Sequence, residues 1–343
     1  MSASTANQPA TPKLTTRGLT NMAFAYKQAG TMLAALELDL FSRIAQGLTT
    51  VPDLAKTLEL APGPVDKLVT ACTALGLLER TPDGYRNSPE ADRYLVRGKP
   101  KFYGDFLVHQ AKSEYDSWKD IRSALGRAPA EKSRYQTMMQ DARFARALTV
   151  AGYNSSIAAG YKLAREFDFS PYSLFLDLGG GSGCYSIPAA LSNPKLRTIV
   201  FDFPAVLAVT REFVEKAGLS DRIATQPGDF TTAPLPRGAD LVGIIGNLHA
   251  YTLEETEAII RRAFDVLAPG GGMILIDYML NNERTGPVEP AFHHLGSVVT
   301  DSKGCVKTEG EMCAFMRRAG AVEVKAVDFI TGSMSRVTGK KPA

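Results

Sequence analysis

Five polar side chains close apolar runs in the second half of the chain, where a group can face a ligand without leaving a rigid strand. Asp177 lies in "LFLDL", Asp202 in "TIVFDF", Asp229 in "PGDF", His249 in "IIGNLHAY" and Asp277 in "MILIDYM". Behind Asp177 runs "LGGGSG", with Gly179, Gly181 and Gly183 at alternate positions. Such glycines let the backbone turn tightly and approach a ligand that a Cβ would hold off. A dinucleotide fingerprint needs G-x-G-x-x-G/A, but Cys184 or Ser186 stands where its last small residue belongs. The loop has the form D-x-G-x-G-x-G instead. Asp202, with Phe203 beside it, can accept both hydroxyls of a ribose. Asp229 and Phe230 can hold an adenine through one hydrogen bond and one ring contact. Any one acid alone could cap a helix. Three acids in register at successive strand ends are the pattern of a ligand outside the carboxyl ends of a parallel sheet.

The elements that position these groups change character along the chain. After a polar segment over 1–17, read as a disordered tail, "TMLAALELDLF", "TTVPDLAKTLEL" and "PGPVDKLVTACTALG" carry apolar residues at helical spacing. Thr50 and Asp53 open the second of these as a capping pair. "LLERTPDGYRNS" reads as a small hairpin around Pro-Asp-Gly, so residues 18–100 form a winged-helix-like unit. Residues 101–170 read as a helical linker and pocket region. From 171 to 343, "LFLDL", "RTIVFDF", "RIATQPGDF", "ADLVGIIG" and "GMILIDYM" alternate with helical patterns, which predicts a parallel α/β sheet. "VEVKAVDFITGSMSRVTGK" then supplies two strands around a turn, one of them antiparallel to the rest.

Composition excludes several classes. Of 343 residues, 45% are apolar and 22% charged, with a net charge of +3, which is ordinary for a globular protein with a sizeable core. Residues 1–100 hold 11 Lys or Arg against 9 Asp or Glu, without the basic stripe a DNA-reading winged helix needs. No uninterrupted apolar run is long enough to span a membrane. The four cysteines (Cys72, Cys184, Cys305, Cys313) show no metal-type spacing and suit a reducing cytoplasm. No nucleic acid or membrane partner is expected.

"LDLGGGSG", "FDFP", "PGDF", "NLHAY", "VLAPGGGMILIDYM" and "KTEGEMCAFMRRAG" together resemble the class I S-adenosylmethionine-dependent methyltransferases. The likeness is to the small-molecule O-methyltransferase group, which has an N-terminal winged-helix dimerisation domain. It implies a Rossmann-like fold, a homodimer, S-adenosyl-L-methionine as cofactor and a substrate pocket between the helical region and the sheet. It also implies that His249 is the general base and that Asp277 orients it. A structural core histidine is the alternative. Phe106, Tyr153, Tyr251 and His293 are the candidate substrate residues. A metal held by His249 with His293 or His294 is conceivable but lacks a supporting carboxylate spacing, so no metal is expected.

The sequence departs from the family pattern at Ala250 and Tyr251, where Asp and Trp usually follow the histidine. At Val306, within "CVKT", a second orienting carboxylate usually stands. O-methylation of a small molecule is the primary reading. Methylation of sulfur in a small thioether or thiol acid, of methylthio-hydroxybutyrate type, is the alternative, because a thioether has no proton to remove. A nucleoside-sensing winged-helix regulator is a third reading, set against the missing basic face.

Overall fold

The computed structural model describes residues 15–99, 101–128, 141–300 and 302–343. The chain divides into two units, 1–108 and 109–343. The tail expected over 1–17 lies largely outside the described residues, and the first helix is Arg17–Ala23.

In the first unit, each amphipathic helix buries one face. Leu36, Leu40, Phe41, Leu54, Val65 and Val69 meet in a common core. Thr50 caps the helix Val51–Leu58 by accepting the Asp53 N–H at 3.3 Å, as its spacing predicts. Strands β1 (Leu78–Thr81) and β2 (Gly84–Asn87) form the antiparallel hairpin. Gly84 is required there: its φ is +134°, and a Cβ would lie 2.2 Å from the Thr49 carbonyl oxygen. The helices Leu40–Ala45, Val51–Leu58 and Pro62–Ala74 with this hairpin make the winged-helix arrangement.

The second unit is built on a twisted sheet. Strands β3 (Leu174–Leu178), β4 (Arg197–Asp202), β5 (Ile223–Pro227), β6 (Ala239–Ile245) and β7 (Leu267–Leu280) are parallel, in the order β5-β4-β3-β6-β7. The short β8 (Lys307–Thr308) lies parallel to the end of β7. Strand β9 (Val322–Ile330) closes the edge through β10 (Met334–Lys340), which is antiparallel to both neighbours. This is the expected sheet with one antiparallel strand.

Burial on both faces explains the near-continuous apolar runs. Along β7, Ile274 and Ile276 join one core with Phe175 and Leu241, while Leu275 faces the other with Leu176 and Ile244. Strand order reverses at β3: the chain moves outward to β4 and β5, then crosses back to β6. Ligands of open α/β sheets bind at the carboxyl ends beside such a reversal. The helix Ala142–Glu166, within the region read as a linker, contributes Leu163 to the second unit's core. No helix among the described residues is long and apolar enough to cross a membrane.

Candidate active site

The glycine loop leaves β3 at the reversal point, and three of its residues adopt left-handed backbone conformations. Gly179, Gly181 and Gly183 have φ of +67°, +54° and +76°. At Gly179 a Cβ would also lie 2.6 Å from Asn247 Nδ2 and 3.0 Å from the Phe230 ring, so a side chain there would fill the crevice. Asn247 follows β6 on the other side of the reversal and donates to the Gly179 carbonyl at 3.0 Å. One side chain thus ties together the two strand ends that flank the site.

Asp202 braces the loop from β4. Its Oδ2 accepts the Gly181 N–H at 2.8 Å and its Oδ1 accepts the Phe203 N–H at 2.7 Å. A carboxylate has about four acceptor positions, so capacity remains for a diol. Burial pushes this carboxyl up to about 6, against the pull of those two N–H groups. Asp177 is more enclosed. Ser186 Oγ donates to its Oδ2 at 2.6 Å, its Oδ1 has no hydrogen-bond partner, and burial pushes it up to about 7. Asp229 Oδ1 accepts from the backbone and hydroxyl of Thr231, and Phe230 is buried with its ring edge-on to Tyr251 at 5.9 Å. The eight residues expected at a nucleoside site therefore gather on the carboxyl ends of β3, β4 and β5.

His249 sits in a 3₁₀ turn, Leu248–Ala250, between β6 and the helix Leu253–Asp265. That helix opens with a full capping box between Thr252 and Glu255, which fixes where the turn must end. Asp277, near the end of β7, grips the histidine twice. Oδ1 meets Nδ1 at 2.7 Å and Oδ2 accepts the His249 backbone N–H at 3.0 Å. A carboxylate only accepts, so Nδ1 carries a proton, and in the neutral imidazole the lone pair then lies on Nε2. Asp277 is buried, whereas the imidazole is 28% exposed. The pair can therefore take a proton from a group presented to Nε2.

The expected substrate residues divide. His293 comes to the histidine: its ring stacks on Tyr278 at 3.6 Å and lies 5.8 Å from the His249 ring. Burial, with His249 adding to it, pushes His293 down to about 4, so it is a neutral imidazole near pH 7. Tyr251 leans instead on Phe230. Tyr153 stacks on Phe213 at 3.9 Å, and Phe106 lies in the first unit, stacked on Tyr103. His294 accepts the Val306 N–H through Nδ1 at 3.1 Å. Among the described residues, no group of three or more His, Cys, Asp or Glu is placed to hold a metal.

Sequence reasoning missed Asn247, Tyr278 and Lys307. Asn247 had a signal, as a polar residue ending the apolar run before His249. Lys307 had only its place in "CVKT", beside the Val306 that replaces a carboxylate.

A doubly wound sheet with a glycine loop, strand-end acids and an Asp-supported histidine defines a nucleoside-using transferase. The comparisons name it further. The O-methyltransferase domain family matches residues 116–321 and the O-methyltransferase dimerisation domain matches residues 20–97. The chain belongs to the O-methyltransferase family. It is 31% identical to the 3-hydroxy-5-methyl-1-naphthoate 3-O-methyltransferase of Streptomyces sahachiroi, over 94% of each chain. It is 30% identical to the tetracenomycin polyketide synthesis 8-O-methyl transferase of Streptomyces glaucescens, over 97% of this chain and 99% of that one. Its fold matches human N-acetylserotonin methyltransferase, solved in complex with SAM, with a TM-score of 0.85 at 23% identity, over 98% and 100% of the chains.

Proposed function

We propose that this protein transfers a methyl group from S-adenosylmethionine to an aromatic hydroxyl of a small molecule, with His249 as general base. The observation that carries the reading is the two-point grip of Asp277 on His249, which takes up Nδ1 and leaves Nε2 as the ring's acceptor. The residues fit the donor. Gly179 leaves room that a Cβ would take, Asp202 keeps acceptor capacity for a ribose, and Asp177 holds an unpartnered buried oxygen at the loop. When bound, S-adenosylmethionine supplies an electrophilic methyl. His249 takes the proton of the acceptor hydroxyl as that oxygen becomes the nucleophile, and Asp277 offsets the charge that develops on the ring. Tyr278 and neutral His293, stacked on each other, set aromatic rings 5.4 and 5.8 Å from the His249 ring, which supports an aromatic acceptor. Curated relatives named for a naphthoate and a tetracenomycin polyketide support the same class.

The dimerisation domain over residues 20–97 and the exposed Leu19, Met22, Phe24 and Tyr26 support a homodimer. Four free cysteines support a reducing, cytoplasmic setting.

The test is methyl transfer from S-adenosylmethionine to phenols, naphthols, hydroxynaphthoates, aliphatic alcohols and thioethers, with wild type and His249→Gln. Light scattering on the same preparation should give twice the chain mass. Turnover on the aromatic hydroxyls should fall roughly 10²–10⁴-fold in the variant. Preferred turnover of thioethers, little changed by His249→Gln, would replace the base reading with the sulfur alternative that Val306 keeps in view.

A further inference from the structure

We propose that Lys307 is the positioning residue that holds the turn carrying His249. Its side chain is almost wholly enclosed, at 2% exposure. Its ammonium donates to the Leu248 carbonyl at 2.7 Å and also to the Tyr251 carbonyl. These carbonyls bracket the histidine on both sides. The Leu248 carbonyl already accepts the Tyr251 N–H at 3.2 Å within the turn, and Lys307 adds a charged donor to it and to the Tyr251 carbonyl just beyond.

The placement is more than space filling. A methionine or leucine could occupy the same volume without the desolvation that pushes this lysine down from its ordinary range. The acids acting on it from neighbouring elements are Asp277 on β7, Glu255 on the helix Leu253–Asp265 and Glu311 on the helix Glu309–Arg318. None of them is its hydrogen-bond partner; both acceptors belong to the histidine turn.

The segment leading to Lys307 is seated against the same turn. Cys305 N–H donates to the Tyr251 carbonyl at 3.1 Å, and a Cβ on Gly304 would lie 2.5 Å from the Ala250 carbonyl carbon and 2.7 Å from the His249 oxygen. Lys307 is itself registered on Met279 of β7, two positions beyond Asp277. One strand therefore references both grips. Asp277 holds the His249 N–H and Nδ1, and Lys307 holds the carbonyls before and after it. A ring fixed at its backbone on both sides cannot drift from the acceptor, and a displacement of about 1 Å costs on the order of 100-fold in rate.

The inference rests on the general-base reading of His249, and its test observes the ring apart from the chemistry. Lys307→Met keeps the stem and deletes the charge. It should melt cooperatively, lose or broaden the downfield Nδ1–H resonance of His249 in proton NMR, and lower kcat on a hydroxynaphthoate about 100-fold. KM for S-adenosylmethionine should stay near the wild-type value. A folded variant with the resonance intact and kcat unchanged overturns the proposal. Should Lys307→Met not fold, Lys307→Arg carries the test: a charged donor remains, so the resonance and about a tenth of the turnover should survive. Their loss in folded Lys307→Arg overturns it equally. Turnover left unchanged by His249→Gln would sink the base reading, yet leave the resonance comparison readable.

Discussion

Asp277→Asn is the sharpest perturbation of the site, because three N–H donors converge on two oxygens. Oδ1 takes His249 Nδ1 at 2.7 Å and the Tyr278 N–H at 2.8 Å, while Oδ2 takes the His249 N–H at 3.0 Å. An asparagine has one accepting oxygen and one donating NH₂. If its oxygen faces Nδ1, the NH₂ confronts the His249 backbone N–H. If its oxygen faces that N–H, the NH₂ confronts the Tyr278 N–H and forces the imidazole into the tautomer whose Nε2 carries the proton. Either arrangement leaves a buried backbone donor opposed, which costs about 1–3 kcal/mol of stability. Both remove the charge that offsets an imidazolium, and the second also removes the base. Turnover should fall roughly 10²–10⁴-fold, more than the stability loss alone would produce. Urea denaturation and saturating initial rates measure the two effects separately. A variant within twofold of wild type in rate, or one with no loss of stability, refutes the account.

Two further outcomes follow from the buried acids. Asp202→Ala frees the Gly181 N–H and deletes the diol acceptor, so calorimetry should show S-adenosylmethionine affinity weakened by about 1–3 kcal/mol; unchanged affinity would remove Asp202 from the donor site. Asp177, pushed up to about 7 by burial, holds a proton in the folded chain that the unfolded chain releases near 3.8. Its contribution is therefore present below about pH 4 and is lost as pH rises toward 7, by up to roughly 4 kcal/mol. Ligand-free protein should resist urea better at pH 5 than at pH 7.5, and Asp177→Asn should flatten that difference.

The sheet and the glycine loop and acids at its carboxyl ends were readable because they repeat a local rule: an apolar run, then an acid or glycine at its end. Asp177, Asp202, Asp229 and Asp277 each lie within three residues of a strand's carboxyl end, and a strand end is visible within a few residues. Lys307 obeys no such rule. Its partners are backbone carbonyls 59 and 56 positions earlier in the chain. The surroundings of Tyr153 were hidden for a different reason. It lies on the 25-residue helix Ala142–Glu166, where apolar residues occur on several sides, so spacing did not reveal that its face meets Phe213. The stack of His293 on Tyr278 joins a helix to a strand, and pairings of that kind appear only once the chain has folded.

The charges around His249 explain how the site can work with Val306 where the family pattern has a second carboxylate. Val306 is buried and apolar, and the neighbouring Lys307 directs its cation at the turn's carbonyls, away from any single acid. His293 adds no charge, because burial holds it neutral. On the proposed general-base reading, an imidazolium at His249 would be offset by Asp277 with a cation behind the turn, a weaker balance than two carboxylates would give. Proton transfer to such a base is easiest from a hydroxyl that is already acidic. Phenols and naphthols release their protons far more readily than aliphatic alcohols. Under the proposed function the missing acid weakens the base, and an aromatic hydroxyl is the acceptor that asks least of a weak base.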